Sequence, residues 1–332
     1  MINPTFSRIL RTLTSYGLPF VLVLVILNVP TACEERVEGV DFSPDTTAQN
    51  TPTSNPNPNN DTSAVDNSLA IDTTSMDRVL VDTVFVADEA LTSAPVRRLL
   101  LEDFTGVRCT NCPRAQQTAK QLAQMHPGRI SLVALHGTGN FNRPYRENQY
   151  DFRLEAAQTL LENLGGRGSL PIGTVNRASL EGEILYLDNQ WPKMVSDQIN
   201  TSAALTLRLW TSYDPSSREA ILTVRGHWAQ TLDENLNLTV YVVENGLVDY
   251  QKDGVDKVPD YKHEHVLRTI VTPSSGQALA QGGFEAQQVF VRELRLDMNA
   301  GWVAENCRVV AFVHRSRTDQ EVLQVVEVPL TD

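Results

Sequence analysis

Chemistry is first suggested by Cys109-Thr110-Asn111-Cys112-Pro113, where two thiols stand three residues apart. If a helix begins there, its unpaired amide N–H groups and the positive end of its dipole favour a thiolate at Cys109. Arg108 adds positive charge beside it. Cys112, one turn on, can attack a mixed disulfide and release the partner. Pro113 falls in the first helical turn, where its missing N–H costs little. The same spacing serves two other ends. It can be an inert disulfide of an oxidising compartment, or half of a zinc site, although a second pair or well-spaced histidines are missing.

The surrounding elements must position the pair. Residues 96–104 read as an apolar strand and 105–108 as a turn. Residues 114–125 read as a helix with Ala115, Ala119, Leu122 and Met125 on one face. An apolar strand follows at 129–136, then a turn-rich insertion at 137–151. A helix at 152–164, a strand opening at Pro171 and a helix at 189–200 complete the unit. This β-α-β-α-β-α order predicts a thioredoxin-like α/β domain. Asp103, six residues before Cys109, resembles the aspartate that relays a proton beneath the cysteines of thioredoxin. Pro171 resembles the cis-proline facing that site. Two departures are plain: no Trp precedes Cys109, and the proline follows the pair. Asp103 also reads as an ordinary exposed or salt-bridged strand carboxylate, and His136 as a hydrogen-bonded residue at a strand end.

From about residue 203 the pattern changes. Segments rich in β-branched and aliphatic residues recur at 204–210, 219–228, 236–244, 265–271, 287–294, 307–315 and 321–328. Several alternate apolar and polar positions, as half-buried antiparallel strands do. Seven such strands predict an all-β immunoglobulin-like sandwich. Cys307 begins one of them and reads as a small buried hydrophobe. His263 and His265 flank Glu264 without an evident third ligand, so no metal is assigned to them. Trp191, Trp210, Trp228 and Trp302 read as packing residues.

The chain opens with Arg8 and Arg11, an apolar run at 17–29, and then Pro30-Thr31-Ala32-Cys33. The run has the size of a signal-peptide core. Small residues before a cysteine resemble a bacterial lipobox, so Cys33 is expected to carry acyl chains and hold the protein on a membrane. Pro30 stands where that pattern has an aliphatic residue. Residues 43–63 are almost entirely Ser, Pro, Asp, Thr, Gln and Asn, too polar to fold alone, and read as a tether. Asp45-Thr46-Thr47 and Asp72-Thr73-Thr74 resemble an O-glycosylation pattern. A net charge of −12 argues against nucleic acid as a partner. The expected organisation is a leader at 1–32, an acylated cysteine and tether at 33–95, a thioredoxin-like domain at 96–202 and a β-sandwich at 203–332.

The run Leu101-Glu102-Asp103-Phe104-Thr105-Gly106, Cys109-x-x-Cys112-Pro113, His136-Gly137, Pro171 and Val175-Asn176-Arg177 resembles the outer membrane protein 28 family of Bacteroidota lipoproteins. The resemblance covers about residues 96 to 330 and implies outer-membrane attachment. Two functions stand against each other. The first is thiol–disulfide exchange with a protein partner, needing no diffusible cofactor: Cys109 is nucleophile, Cys112 resolves, Asp103 accepts a proton and Pro171 shapes the groove. The second is a non-catalytic surface-binding lipoprotein in which the cysteines form a staple.

Overall fold

The computed structural model describes residues 79–87, 90–280, 282–316 and 320–331. The leader, Cys33, both Asp-Thr-Thr sites and the tether up to residue 78 lie outside the described residues.

Within the stretch read as tether, Val79–Val86 forms a strand, β1. The cysteine-bearing segment follows as β2 (Leu99–Thr105), α1 (Cys112–Met125), β3 (Ile130–His136), α2 (Glu155–Asn163), β4 (Ile172–Val175) and α3 (Trp191–Gln198). Every residue of β2 is buried. Its parallel neighbour β3 and antiparallel neighbour β4 flank it, and helices cover the face that carries Leu99 and Leu101. A strand covered on both faces reads as a continuous apolar run, and LLLEDFT departs from that only at Glu102 and Asp103.

Ten strands follow: β5 (Leu205–Asp214), β6 (Glu219–Trp228), β7 (Leu236–Glu244), β8 (Leu247–Asp253), β9 (Asp256–His263), β10 (Val266–Ile270), β11 (Gln277–Ala280), β12 (Gln288–Asp297), β13 (Cys307–Arg315) and β14 (Val322–Pro329). All seven expected strands are present. Three are additional: β11, which pairs with β7, and the β8–β9 hairpin.

The strands form a four-stranded sheet, β1-β12-β6-β5, and a long sheet, β14-β13-β7-β10-β3-β2-β4. The two sheets sandwich a core built from β5, β6, β7, β12 and β13, including Leu207, Leu222, Val240 and Phe290. The long sheet runs from the sandwich strands into β3 through one parallel pair, Val266 with Ala134. It then curls until β14 reaches β2 and β4. The Val322 N–H donates to Asn176 O (2.8 Å), and the Arg98 N–H to Gln324 Oε1 (2.9 Å). This curl encloses a second core to which Leu100, Phe104, Leu160, Tyr241, Phe312 and Val325 all contribute. No helix among the described residues is long and apolar enough to cross a membrane.

Candidate functional site

Neighbouring positions on a strand face opposite sides, so Glu102 and Asp103 of β2 enter different environments. Glu102 points into the curled core. Its carboxylate accepts two hydrogen bonds from the Arg177 guanidinium, both 2.8 Å, and one from the Tyr241 hydroxyl at 3.0 Å. Arg177 also donates to the Tyr241 oxygen and lies over the Phe312 ring. Burial alone would lower the Arg177 pKa, but the carboxylate beside it holds the guanidinium above its ordinary value. The arginine follows β4 with a left-handed backbone (φ 51°). The cluster thus ties β2, β4 and β7 together.

Asp103 faces α1 and is also buried, yet neither of its carboxyl oxygens has a hydrogen-bond partner among the described residues. Burial, assisted by the negative charge of Asp188, pushes its pKa up to about 8. Asp188 itself is paired with Arg114 at 3.0 Å. Asp103 therefore stands neutral at pH 7. It lines a cleft of about 580 Å³ with Pro113 and Gln116 of α1 and Tyr261 of β9. The structure thus places Asp103 beneath the helix that Cys112 opens, and it is not a salt-bridged strand carboxylate.

Cys109 and Cys112 are joined in a disulfide, with Cα atoms 5.4 Å apart. The helix begins at Cys112 with Asn111 as N-cap and Pro113 in its first turn. Cys109 thus lies in the preceding turn, its N–H donating to Gly106 O. The bond is covered: Cys109 is 1% exposed and Cys112 fully buried. The β8–β9 hairpin closes over this loop. Gln251 Nε2 donates to the carbonyls of Gly106 (3.1 Å), Cys109 (3.3 Å) and Lys252 (3.0 Å). The Lys252 N–H donates to Val107 O (2.8 Å), and the Gly254 N–H to Thr110 O (3.1 Å). The Tyr261 hydroxyl bonds Gln116 of α1. On another side, the Arg108 N–H donates to Phe141 O of the 137–151 insertion. Arg108 sends its guanidinium to the carbonyls of Arg143 and Pro144 and over the Tyr145 ring. That charge is committed to the insertion, not to the sulfur.

Leu170–Pro171 is a cis peptide. Ile172 pairs with Phe104, so Pro171 lies at the end of β2 from which the cysteine loop departs. Beside that loop, Val107 joins Phe152, Leu247 and Val266 in a small apolar cluster. His136 and His263 flank Phe152, at 5.2 and 4.7 Å between ring centroids. Neither ring makes a hydrogen bond to a side chain among the described residues. Burial above all, with the neighbouring charges, lowers His136 to about 3, and burial lowers His263 to about 4. His136 is thus neutral and packs against Phe152. Among the described residues no three His, Cys, Asp or Glu side chains cluster as metal ligands. Cys307 is buried and has no disulfide partner among the described residues, and burial pushes its thiol up to about 12, which suits packing and not attack. Trp191 and Trp228 are fully buried and Trp302 packs on the sandwich core, whereas Trp210 is 48% exposed.

The sequence pattern of the family described as outer membrane protein Omp28 matches residues 158–332. This chain belongs to the Omp28 family. The match begins within α2 and takes in Pro171, Arg177 and every strand from β4 to β14. Among solved structures, HBP35 of Porphyromonas gingivalis is similar at 19% identity, with a TM-score of 0.57 over 72% of this chain and 77% of that one. At that identity the likeness speaks to the fold alone. Protein AGR_C_4864 from Agrobacterium tumefaciens is 11% identical over 74% of this chain and 97% of that one, and its TM-score of 0.43 is too low to bear on the fold. No curated protein matches.

Two parts of the site in this Omp28-family protein are not legible in the sequence. The hairpin that covers the disulfide arrives about 140 positions after the cysteines, and its Asp253-Gly254 turn was the available signal. The Glu102–Arg177–Tyr241 cluster joins three distant segments, and nothing local announces the pairing.

Proposed function

We propose that this Omp28-family protein is an outer-membrane lipoprotein, anchored through Cys33, whose 96–202 segment is a thioredoxin-like unit. Its Cys109–Cys112 pair exchanges electrons with protein thiols. The observation that carries this reading is the contrast between two adjacent carboxyls. Glu102 is buried with full pairing, while Asp103 is buried with none among the described residues. An unpaired buried carboxyl is a standing cost to the fold. A scaffold has no use for it, whereas a redox pair needs a group that yields or takes a proton near neutrality.

In the oxidised state a partner thiolate attacks Cys109 Sγ. The Cys109–Cys112 bond breaks, and Cys112 leaves as a thiolate that takes up the proton from Asp103. The partner's second thiolate then attacks the mixed disulfide and releases Cys109. The partner dithiol is oxidised to a disulfide, and the pair is reduced to two thiols once Cys109 and Asp103 are reprotonated from solvent. In reverse, Cys109 is the nucleophile, Cys112 resolves and Asp103 accepts the proton. Pro171 borders the groove on the β4 side.

The burial of both sulfurs favours a second reading, a non-catalytic surface-binding protein in which the disulfide staples the loop. Trapping separates the two. Cys112→Ala should accumulate mixed disulfides through Cys109, and Asp103→Asn should slow exchange in the otherwise native protein. A pair that stays oxidised below about −300 mV, with no trapped adduct, would assign it to the staple.

A further inference from the structure

On the solvent face of the four-stranded sheet, Arg208 of β5 stands directly opposite Arg225 of β6. Like charges so placed repel. Other arginines of the sandwich carry carboxylates: Arg295 pairs with Glu219, and Arg308 with Glu327. Arg208 and Arg225 make no ion pair or side-chain hydrogen bond among the described residues, in a chain whose net charge is −12. Glu293 on the adjoining strand stands opposite Thr223 and accepts that residue's hydroxyl instead.

Both arginines open on a cleft of about 500 Å³ that is also lined by Thr206, His227, Phe85 and Leu91. Its far wall is fixed. His227 Nε2 lies 3.2 Å from Gln287 Oε1, and the same oxygen accepts the Leu91 N–H. Phe85 presents a half-exposed ring.

We propose that this cleft binds the phosphate monoester group of an organic molecule, with the apolar body of that molecule against Phe85 and Leu91. A guanidinium fork matches phosphate oxygens in pairs. A monoester carries close to two negative charges at neutral pH, so it neutralises both arginines where a carboxylate neutralises one. Binding relieves the cross-strand repulsion and so stabilises the folded chain.

The test is calorimetric titration of the full-length protein with phenyl phosphate and with inorganic phosphate at low salt. Saturable one-to-one binding is expected, tighter for phenyl phosphate. Arg208→Gln and Arg225→Gln should each weaken it at least about tenfold, the loss of one charge-assisted contact. Arg295→Gln should leave it unchanged. Thermal melts without ligand should show both cleft variants folded, with midpoints equal to or above that of the parent. If vesicles carrying phosphatidic acid compete with phenyl phosphate, the group can come from a lipid. If they fail to compete, the source is soluble, and either result upholds the site. The proposal is overturned by the absence of saturable binding, by binding that survives Arg225→Gln, or by benzoate binding as tightly as phenyl phosphate.

Discussion

Replacing Asp103 with asparagine should stabilise the fold at neutral pH and leave it almost unchanged in acid. The carboxyl has an ordinary pKa of 3.8 and stands at about 8 in the folded chain. Below pH 3.8 both states hold the proton, and burial of the neutral group is all that folding demands. Between the two values the unfolded chain loses the proton while the folded chain keeps it. Stability then falls by about 1.4 kcal/mol per pH unit, or about 4 kcal/mol by pH 7. Water entry and local relaxation reduce that figure, so a gain of about 2–4 kcal/mol is expected for the amide at pH 7. The assay is urea unfolding of both proteins at pH 4, 5.5, 7 and 8.5, with the disulfide intact. The two curves should coincide at pH 4 and separate progressively up to pH 8. Parallel curves across the whole range would refute the idea that Asp103 is buried without a partner.

Three other substitutions probe the neighbourhood. Gln251→Ala removes the side-chain donor to two carbonyls of the cysteine loop, those of Gly106 and Cys109. It should speed reduction by dithiothreitol about tenfold, for about 1.4 kcal/mol of lost closure, measured by quenched thiol labelling. Arg177→Met strands Glu102 in the curled core, so chemical denaturation should show a loss of about 3–5 kcal/mol. The double change Glu102→Gln with Arg177→Met should lose less than the single one. Gly173→Ala would place a methyl group 2.4 Å from Glu102 O and 2.7 Å from the Trp191 ring. Neither neighbour yields easily, and a drop of about 1–3 kcal/mol is expected in the same experiment.

How far the sequence discloses this structure depends on where each partner lies. The alternation in EAILTVRGHW and the apolar run before the cysteines are local signals, and β6 and β2 follow from them. Residues 79–86 carry a β-branched pattern, VLVDTVFV. The polar residues around it read as tether, and its pairing with β12 is about 200 positions away. The depth of the disulfide is illegible for the same reason: the groups that cover it belong to β8 and β9. Asp103 could be placed by its offset from Cys109. Its missing partner could not, because only the folded neighbourhood shows that Arg114 goes to Asp188 and Arg177 to Glu102.

The passage of the long sheet through Ala134 and Val266 constrains how this architecture can be taken apart or recombined. A chain cut near residue 203 would leave one piece without Tyr241 and Phe312 and the other without Leu100 and Phe104. Each fragment would then expose half of what had been a shared interior. Swapping either half for that of a relative would demand matched changes along the whole seam, so the two segments are expected to be inherited together.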